Sequence, residues 1–303
     1  MRTFSRKYII ILIIFITPLF IISCNSNSNS NNSLDGERIQ GDTYVAIGYF
    51  DENNQIIDNG SNIDVTNNNS LTHILDIDQK LEEDREYLLI ALSNFQQINF
   101  KVNDKTYDYY KFKLKKIDSC KLKIDITLPN NSKELDYILI KKPFDLSKDF
   151  NLDEIMSLQD IICTRFKVNN ASQAIDYCKD TQSVSGEIDN IWISDEKNVV
   201  KALHTINKNK KLYLGIGNDT KSKLDYAVIL FNNWKQVRFD DGDLVKYFKL
   251  SSNDKKVYEL NLSSLTDESY FQAICFPFPF NVDTEEPSST QAFGSSKSII
   301  SSK

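Results

Sequence analysis

A block of this chain occurs twice, and that repetition constrains the fold more than any other feature. Tyr87–Phe100 aligns without a gap to Tyr226–Phe239, with Tyr, Ile, Asn, Gln and Phe recurring in place. After a loss of three residues from the second copy, Phe112-Lys113-Leu114 matches Phe248-Lys249-Leu250, and Pro143-Phe144-Asp145 matches Pro279-Phe280-Asn281. Upstream, Asp51-Glu52-Asn53-Asn54 resembles Asp195-Glu196-Lys197-Asn198. Four blocks in one order imply a duplicated structural unit.

Both copies read as strands. Leu122, Ile124, Ile126 and Leu128 alternate with Lys123, Asp125 and Thr127, and Tyr258, Leu260 and Leu262 repeat the pattern. Period two puts one set on a buried face and the other in water. Tyr87–Leu92 and Tyr226–Phe231 are continuous apolar runs, as expected of strands covered on both faces. Polar turns such as Asn103-Asp104-Lys105 separate the runs, at the roughly 8–14-residue spacing of sandwiches and small barrels. The expected fold is mainly β: two related antiparallel β-sandwich modules of immunoglobulin-like architecture, over 40–147 and 186–283. A short helical insert over 148–185 would join them. There Leu152, Ile155, Gln159, Ile162 and Phe166 follow helical spacing beside Met156 and Cys163, and a second short helix is expected over Ala171–Cys178. Residues 284–303, rich in Ser, Thr and Glu, read as a disordered tail.

Composition narrows the function classes. Of 303 residues, 41% are hydrophobic and 26% charged, enough for a buried core. The net charge of −6 argues against a nucleic-acid partner, which needs a basic face. Two histidines and no CxxC pair argue against a metal centre, and no motif implies a cofactor.

The N-terminus carries an address. Arg2, Arg6 and Lys7 precede an almost continuous apolar run from Tyr8 to Ile22, whose end forms the motif Ile21-Ile22-Ser23-Cys24. The run is short for a membrane span and fits a secretory signal. With that cysteine the segment resembles the type II signal peptide of bacterial lipoproteins. The resemblance implies cleavage after residue 23 and acylation of Cys24 with fatty acids such as palmitate. The protein would then be anchored in a bacterial cell membrane or outer membrane, facing the periplasm or the exterior, with the bilayer as its first partner. Residues 24–39 then form a tether, in which Asn25–Ser33 is only Asn and Ser.

Candidate sites are few. Phe95 and Trp234 occupy the same junction in both copies, within Asn94-Phe95-Gln96-Gln97 and Asn233-Trp234-Lys235-Gln236. Exposed, these aromatics with Asn94, Asn233, Gln97 and Gln236 would form a platform for a protein or glycan ligand; turned inward, they would plug a sandwich end. Cys163 and Cys178 are close enough in sequence for a disulfide in an exported protein, with buried free thiols as the alternative. Asp240-Asp241-Gly242-Asp243 is a calcium-like cluster that also reads as a hairpin turn. His73 and His204 read as surface or strand-end residues, and no nucleophile elbow or catalytic triad is recognisable. The leading expectation is a non-enzymatic binding or adhesion lipoprotein. A cell-envelope hydrolase or its accessory subunit, and a structural spacer, are the alternatives.

Overall fold

The computed structural model describes residues 44–65, 69–146, 161–171, 173–285 and 287–303. The signal segment, Cys24, the tether and the expected helix across Leu152–Gln159 lie outside the described residues.

Alternating strands build an outer sheet in each copy, and continuous apolar strands build an inner one. The first outer sheet has the order β1 (Tyr44–Phe50), β3 (Ser70–Lys80), β9 (Asp118–Thr127), β6 (Phe100–Val102), β7 (Lys105–Tyr107). The inner sheet facing it runs β2 (Asn62–Ile63), β11 (Ile161–Val168), β10 (Glu134–Lys141), β4 (Arg85–Ser93), β5 (Gln96–Ile98), with β8 (Tyr110–Leu114) also on β4. In the second copy the outer sheet is β12 (Gln182–Ser183), β19 (Asp254–Leu260), β15 (Leu212–Asn218), β13 (Ile191–Ser194). Its inner sheet is β14 (Thr205–Asn207), β22 (Ser298–Ser301), β20 (Tyr270–Pro277), β16 (Leu224–Asn232), β17 (Lys235–Val237), joined by β18 (Lys246–Leu250) and β21 (Phe293–Gly294).

Three apolar cores follow. Leu75, Ile77, Tyr87, Leu89, Ile124 and Leu139 fill the first sandwich, and Leu214, Ile216, Tyr226, Val228, Leu260 and Ala273 fill the second. The third lies between the inner sheets: Leu88, Ile90, Leu92 and Ile138 of one meet Ala227, Ile229, Phe231 and Ile274 of the other. Both faces of β4 and β16 are therefore buried, which is why their sequences do not alternate.

The expected helices are corrected. Ile162, Cys163 and Phe166 lie on β11, paired antiparallel to β10 with Ile138 opposite Cys163, and Ala171–Cys178 is irregular where described. The tail is corrected too. β22 pairs with β20 and parallel to β14, and Ile300 is fully buried. The two misreadings concern one element: β11 on β10 and β2 corresponds to β22 on β20 and β14. The repeat is thus longer than its recognisable blocks, reaching Val168 in the first copy and Ser301 in the second.

The duplication also supplies an internal control on backbone strain. Ile117 in the β8–β9 turn has φ of 50°, and the matching residue of the second copy is Asn253, φ 52°. Asparagine tolerates this left-handed conformation, whereas a β-branched residue does not. Ile117 is 49% exposed, so burial does not compensate for the strain. Ile117→Asn is expected to stabilise the protein by about 1 kcal/mol, read as a higher urea midpoint.

Candidate functional site

The duplicated aromatics are internal. Asn94-Phe95 and Asn233-Trp234 each occupy a two-residue hairpin turn with positive φ at both positions: 50° and 63° in the first, 49° and 63° in the second. That turn normally favours glycine in second place. Here the strained residue is an aromatic driven into the third core, Phe95 0% and Trp234 2% exposed. Phe95 packs on Phe276 and Phe280, and the Trp234 indole N–H donates to the Pro143 carbonyl at 3.1 Å. The neighbouring glutamines bond reciprocally. Gln97 N–H donates to Gln236 Oε1 and Gln236 N–H to Gln97 Oε1, each at 2.7 Å. Gln97 Nε2 also reaches Trp234 O, and Gln236 Nε2 reaches Phe95 O. Such exchange is the signature of a two-fold, isologous contact, here within one chain. Asn94 and Asn233 brace the turns by accepting from the backbone N–H of Glu134 and Tyr270. The six residues meet each other across the two copies, as the joint between sandwiches. Neither ring is available for stacking on a ligand.

Other expected features are resolved in the same way. Cys163 and Cys178 are free thiols, because β11 holds Cys163 in the first sandwich while Cys178 packs against the core of the second. At the calcium-like turn, the Lys246 ammonium pairs with both Asp241 and Asp243, so a protein cation fills the cluster. Among the described residues no group of His, Cys, Asp and Glu is arranged to hold a metal.

Sequence reading missed a buried charge cluster at the joint. Arg165 on β11 donates from Nε to Glu134 Oε1 at 2.8 Å and from Nη1 to the carbonyls of Pro277 and Ser289, each at 2.6 Å. Glu134 Oε2 in turn accepts from the Phe280 N–H at 2.6 Å. Asp136 lies 3.4 Å from Arg165 Nε without making a hydrogen bond. Burial and the adjacent Glu134 push its carboxyl well above the usual range. Lys297 stands opposite Arg165 in the repeat and reaches the other way, donating to the Lys142 carbonyl at 2.7 Å. These groups are sequestered between the two sandwiches, out of reach of any ligand, so their role is structural.

The accessible candidate is a groove of about 600 Å³ on the first sandwich, lined by Asp51, Glu52, Asn53, Ile57, Asn62, Ile63, Asp64 and Ser70–His73. Strand lengths create it. β1 pairs with β3 only from Ile74 to Lys80 and then leaves through the Asp51–Gln55 turn, while β3 begins at Ser70. Leu71–His73 therefore runs past the end of β1, with β2 supplying Asn62 and Ile63 to the lining. Ile56, 65% exposed, projects from the adjoining turn. Three carboxylates line the groove and no Lys or Arg does. Asp51 accepts the backbone N–H groups of Asn53 and Gln55, which lower its pKa and keep it ionised. The matching pair in the second copy, Asp195 and Glu196, shares the ammonium of Lys201, which offsets part of its charge.

The groove end of the first sandwich also has its own interior. His73, 3% exposed, meets Tyr137 Oη at 3.1 Å through Nδ1, and Tyr137 stacks on Tyr49 at 4.8 Å. Strand registers place Leu212, Ala273 and Ile193 at the same three positions of the second sandwich. Burial drives the His73 pKa from 6.5 to about 4, and Tyr137 is pushed far up, so neither exchanges protons near neutral pH. A lowered histidine pKa means that the unfolded chain takes up the proton first as pH falls. Its contribution is complete above about pH 6.5 and lost as pH falls to about 4. His73→Leu, borrowing the residue of the second copy, is expected to remove up to about 3 kcal/mol of that acid destabilisation, measured by urea unfolding between pH 4 and 7.

Neither the groove nor His73 carries a recognisable motif. The only sequence signal was the repeated Asp51–Asn54 block, whose missing cation is invisible without Lys201 in three dimensions.

No family model matches the chain, and no curated protein matches it. Among solved structures it is similar to the Escherichia coli chaperone DraB, with 11% identity over 83% of this chain and 96% of that one, TM-score 0.27. A chain from the complex of the Salmonella enterica SafA pilin with the SafB chaperone gives 11% identity, 83% and 95% coverage, and TM-score 0.27. The human CEP192 PapD-like domain 7 gives 10% identity, 47% and 96% coverage, and TM-score 0.26. At these scores the likenesses carry no argument about what the chain binds or does.

Proposed function

We propose that this protein is a membrane-tethered, non-enzymatic binding module that presents the groove of its first sandwich to a partner in the cell envelope or outside the cell. The observation that carries this reading is the difference between the two copies. Among the described residues the first leaves its acidic pair without a cation, extends β3 four residues beyond β1 where β15 passes β13 by Leu212 alone, and backs the region with His73, Tyr137 and Tyr49. The second copy acts as a brace, locked to the first through the glutamine exchange and the third core.

Orientation supports a tethered binder. Tyr44, the first described residue, begins β1, and Asp51 follows its far end. A strand of seven residues places the groove about 20 Å from the point where the chain enters the sandwich. Acylation at Cys24 would attach the chain to the bilayer through that entry side and leave the groove at the far end of β1, and two or more acyl chains anchor stably where one is marginal.

Two measurements test the reading. Cells fed an alkyne-bearing palmitate analogue should label the protein, and Cys24→Ser should lose the label. A photo-cross-linking side chain at Glu52, exposed beside the groove, should give partner adducts that the same group at the exposed Val199 of the second copy does not. An unlabelled protein removes the tether. Identical adduct patterns at both positions remove the groove.

A further inference from the structure

We infer that the groove takes an extended, cationic segment of a protein partner, added as a short strand beside Leu71–His73. The inference rests on the binding reading above and gives it a ligand class.

The backbone makes the case for an extended ligand. β9 pairs with β3 along its whole length, from Ser70 to Gln79, but β1 flanks it only from Ile74 onward. Among the described residues the line that β1 follows along β3 is thus left to the groove beside Leu71, Thr72 and His73. Strand addition to such an edge supplies main-chain hydrogen bonds whatever the side chains, and alternate side chains then set specificity. Thr72 points outward and donates to Asp125 Oδ1 at 2.7 Å, while His73 and Leu71 turn into the first core. An added strand would follow that alternation.

Charge and apolar surface decide the side chains. Asp51, Glu52 and Asp64 are the only titratable residues lining the groove besides His73, which burial keeps neutral near pH 7. None of the three carboxylates is ion-paired among the described residues; Asp64 accepts only from Asn62 Nδ2, at 2.8 Å. Their combined potential favours lysine or arginine and repels an acidic segment. Ile57, Ile63 and Leu71 lie between them, and Ile56 stands exposed on the rim. The matching ligand therefore alternates apolar and cationic residues over four or more positions.

The test uses the full-length protein in detergent and three synthetic decapeptides: alternating lysine and valine, alternating glutamate and valine, and the lysine–valine peptide N-methylated on every second residue. Calorimetry should show saturable binding of the first peptide. Glu52→Gln combined with Asp64→Asn, with an unchanged urea midpoint to show that the fold survives, should weaken it about tenfold. N-methylation, which blocks strand pairing without altering charge, should weaken it at least as much. Equal binding of the glutamate peptide overturns the charge argument, and equal binding of the N-methylated peptide overturns strand addition. If no peptide binds while a cross-linker at Glu52 still gives groove-specific adducts, the cationic strand is wrong and the binding reading stands. If both fail, both are wrong.

Discussion

A chain ending at Asp283 is expected to lose the cooperative fold of its second sandwich. The deleted segment contains β21, β22 and the bonds that tie them in. Ser295 exchanges hydrogen bonds with Ala273, Gln272 Nε2 donates to Ser295 O, and Ile300 N–H donates to Ser269 O. Without the segment β20 becomes an exposed edge beside an opened core, and Arg165 loses its acceptor at Ser289. Losing the burial of Ile300 and the partial burial of Ile299 and Phe293, at no more than about 2 kcal/mol per side chain, removes up to about 6 kcal/mol. That is comparable with the whole stability of many domains. Limited proteolysis should cut the truncated chain throughout 182–282 while sparing that region of the full-length protein, and the near-ultraviolet dichroism of the two tryptophans, Trp192 and Trp234, should fall. An unchanged urea midpoint would show that β22 contributes nothing.

Arg165→Met is expected to destabilise the protein by about 3–5 kcal/mol. The mutation leaves Glu134 and Asp136 buried together without their cation and frees the Pro277 and Ser289 carbonyls. Arg165→Lys should recover only part of the loss, because one ammonium cannot reproduce the planar fork spanning Glu134 and two carbonyls. The pH dependence carries a second signature. In the Met variant the Asp136 carboxyl, already pushed up by burial and by Glu134, should be held protonated, so the folded state keeps a proton that the unfolded chain gives up near pH 4. Stability of the variant should therefore be greatest below about pH 4 and fall as pH rises from there. Replacing all three residues with apolar ones of similar volume should restore most of the stability, since a buried ion cluster is often no better than good packing. Urea unfolding of the variants across pH checks each point.

Both predictions fall on residues whose importance no local pattern shows. Ile162 and Phe166 are four apart, a spacing that fits a helix as well as a strand, and only pairing with β10 decides it. β22 is Ser-Ile-Ile-Ser, too short and too polar at its ends to stand out, and it becomes a strand because β14 and β20 lie on either side. His73 alternates correctly for the inner face of β3. Its burial is acceptable because Tyr137, 64 residues away, offers a hydrogen bond. Phe95 and Trp234 were recognisable as a pair, but the choice between platform and joint depended on the surface that each turn met.

The amino-acid sequence by itself determined the class of fold, the duplication and the double-sided burial of β4 and β16. All three are written in short-range periodicity and in self-similarity, which require no knowledge of spatial neighbours. Only three-dimensional packing reveals that the second face of each inner sheet is covered by the other copy, that Arg165 and Lys297 cross the joint, and that one acidic turn has no cation among the described residues while its twin shares Lys201. Burial and electrostatics depend on which groups meet in space, and residues far apart in the chain decide that.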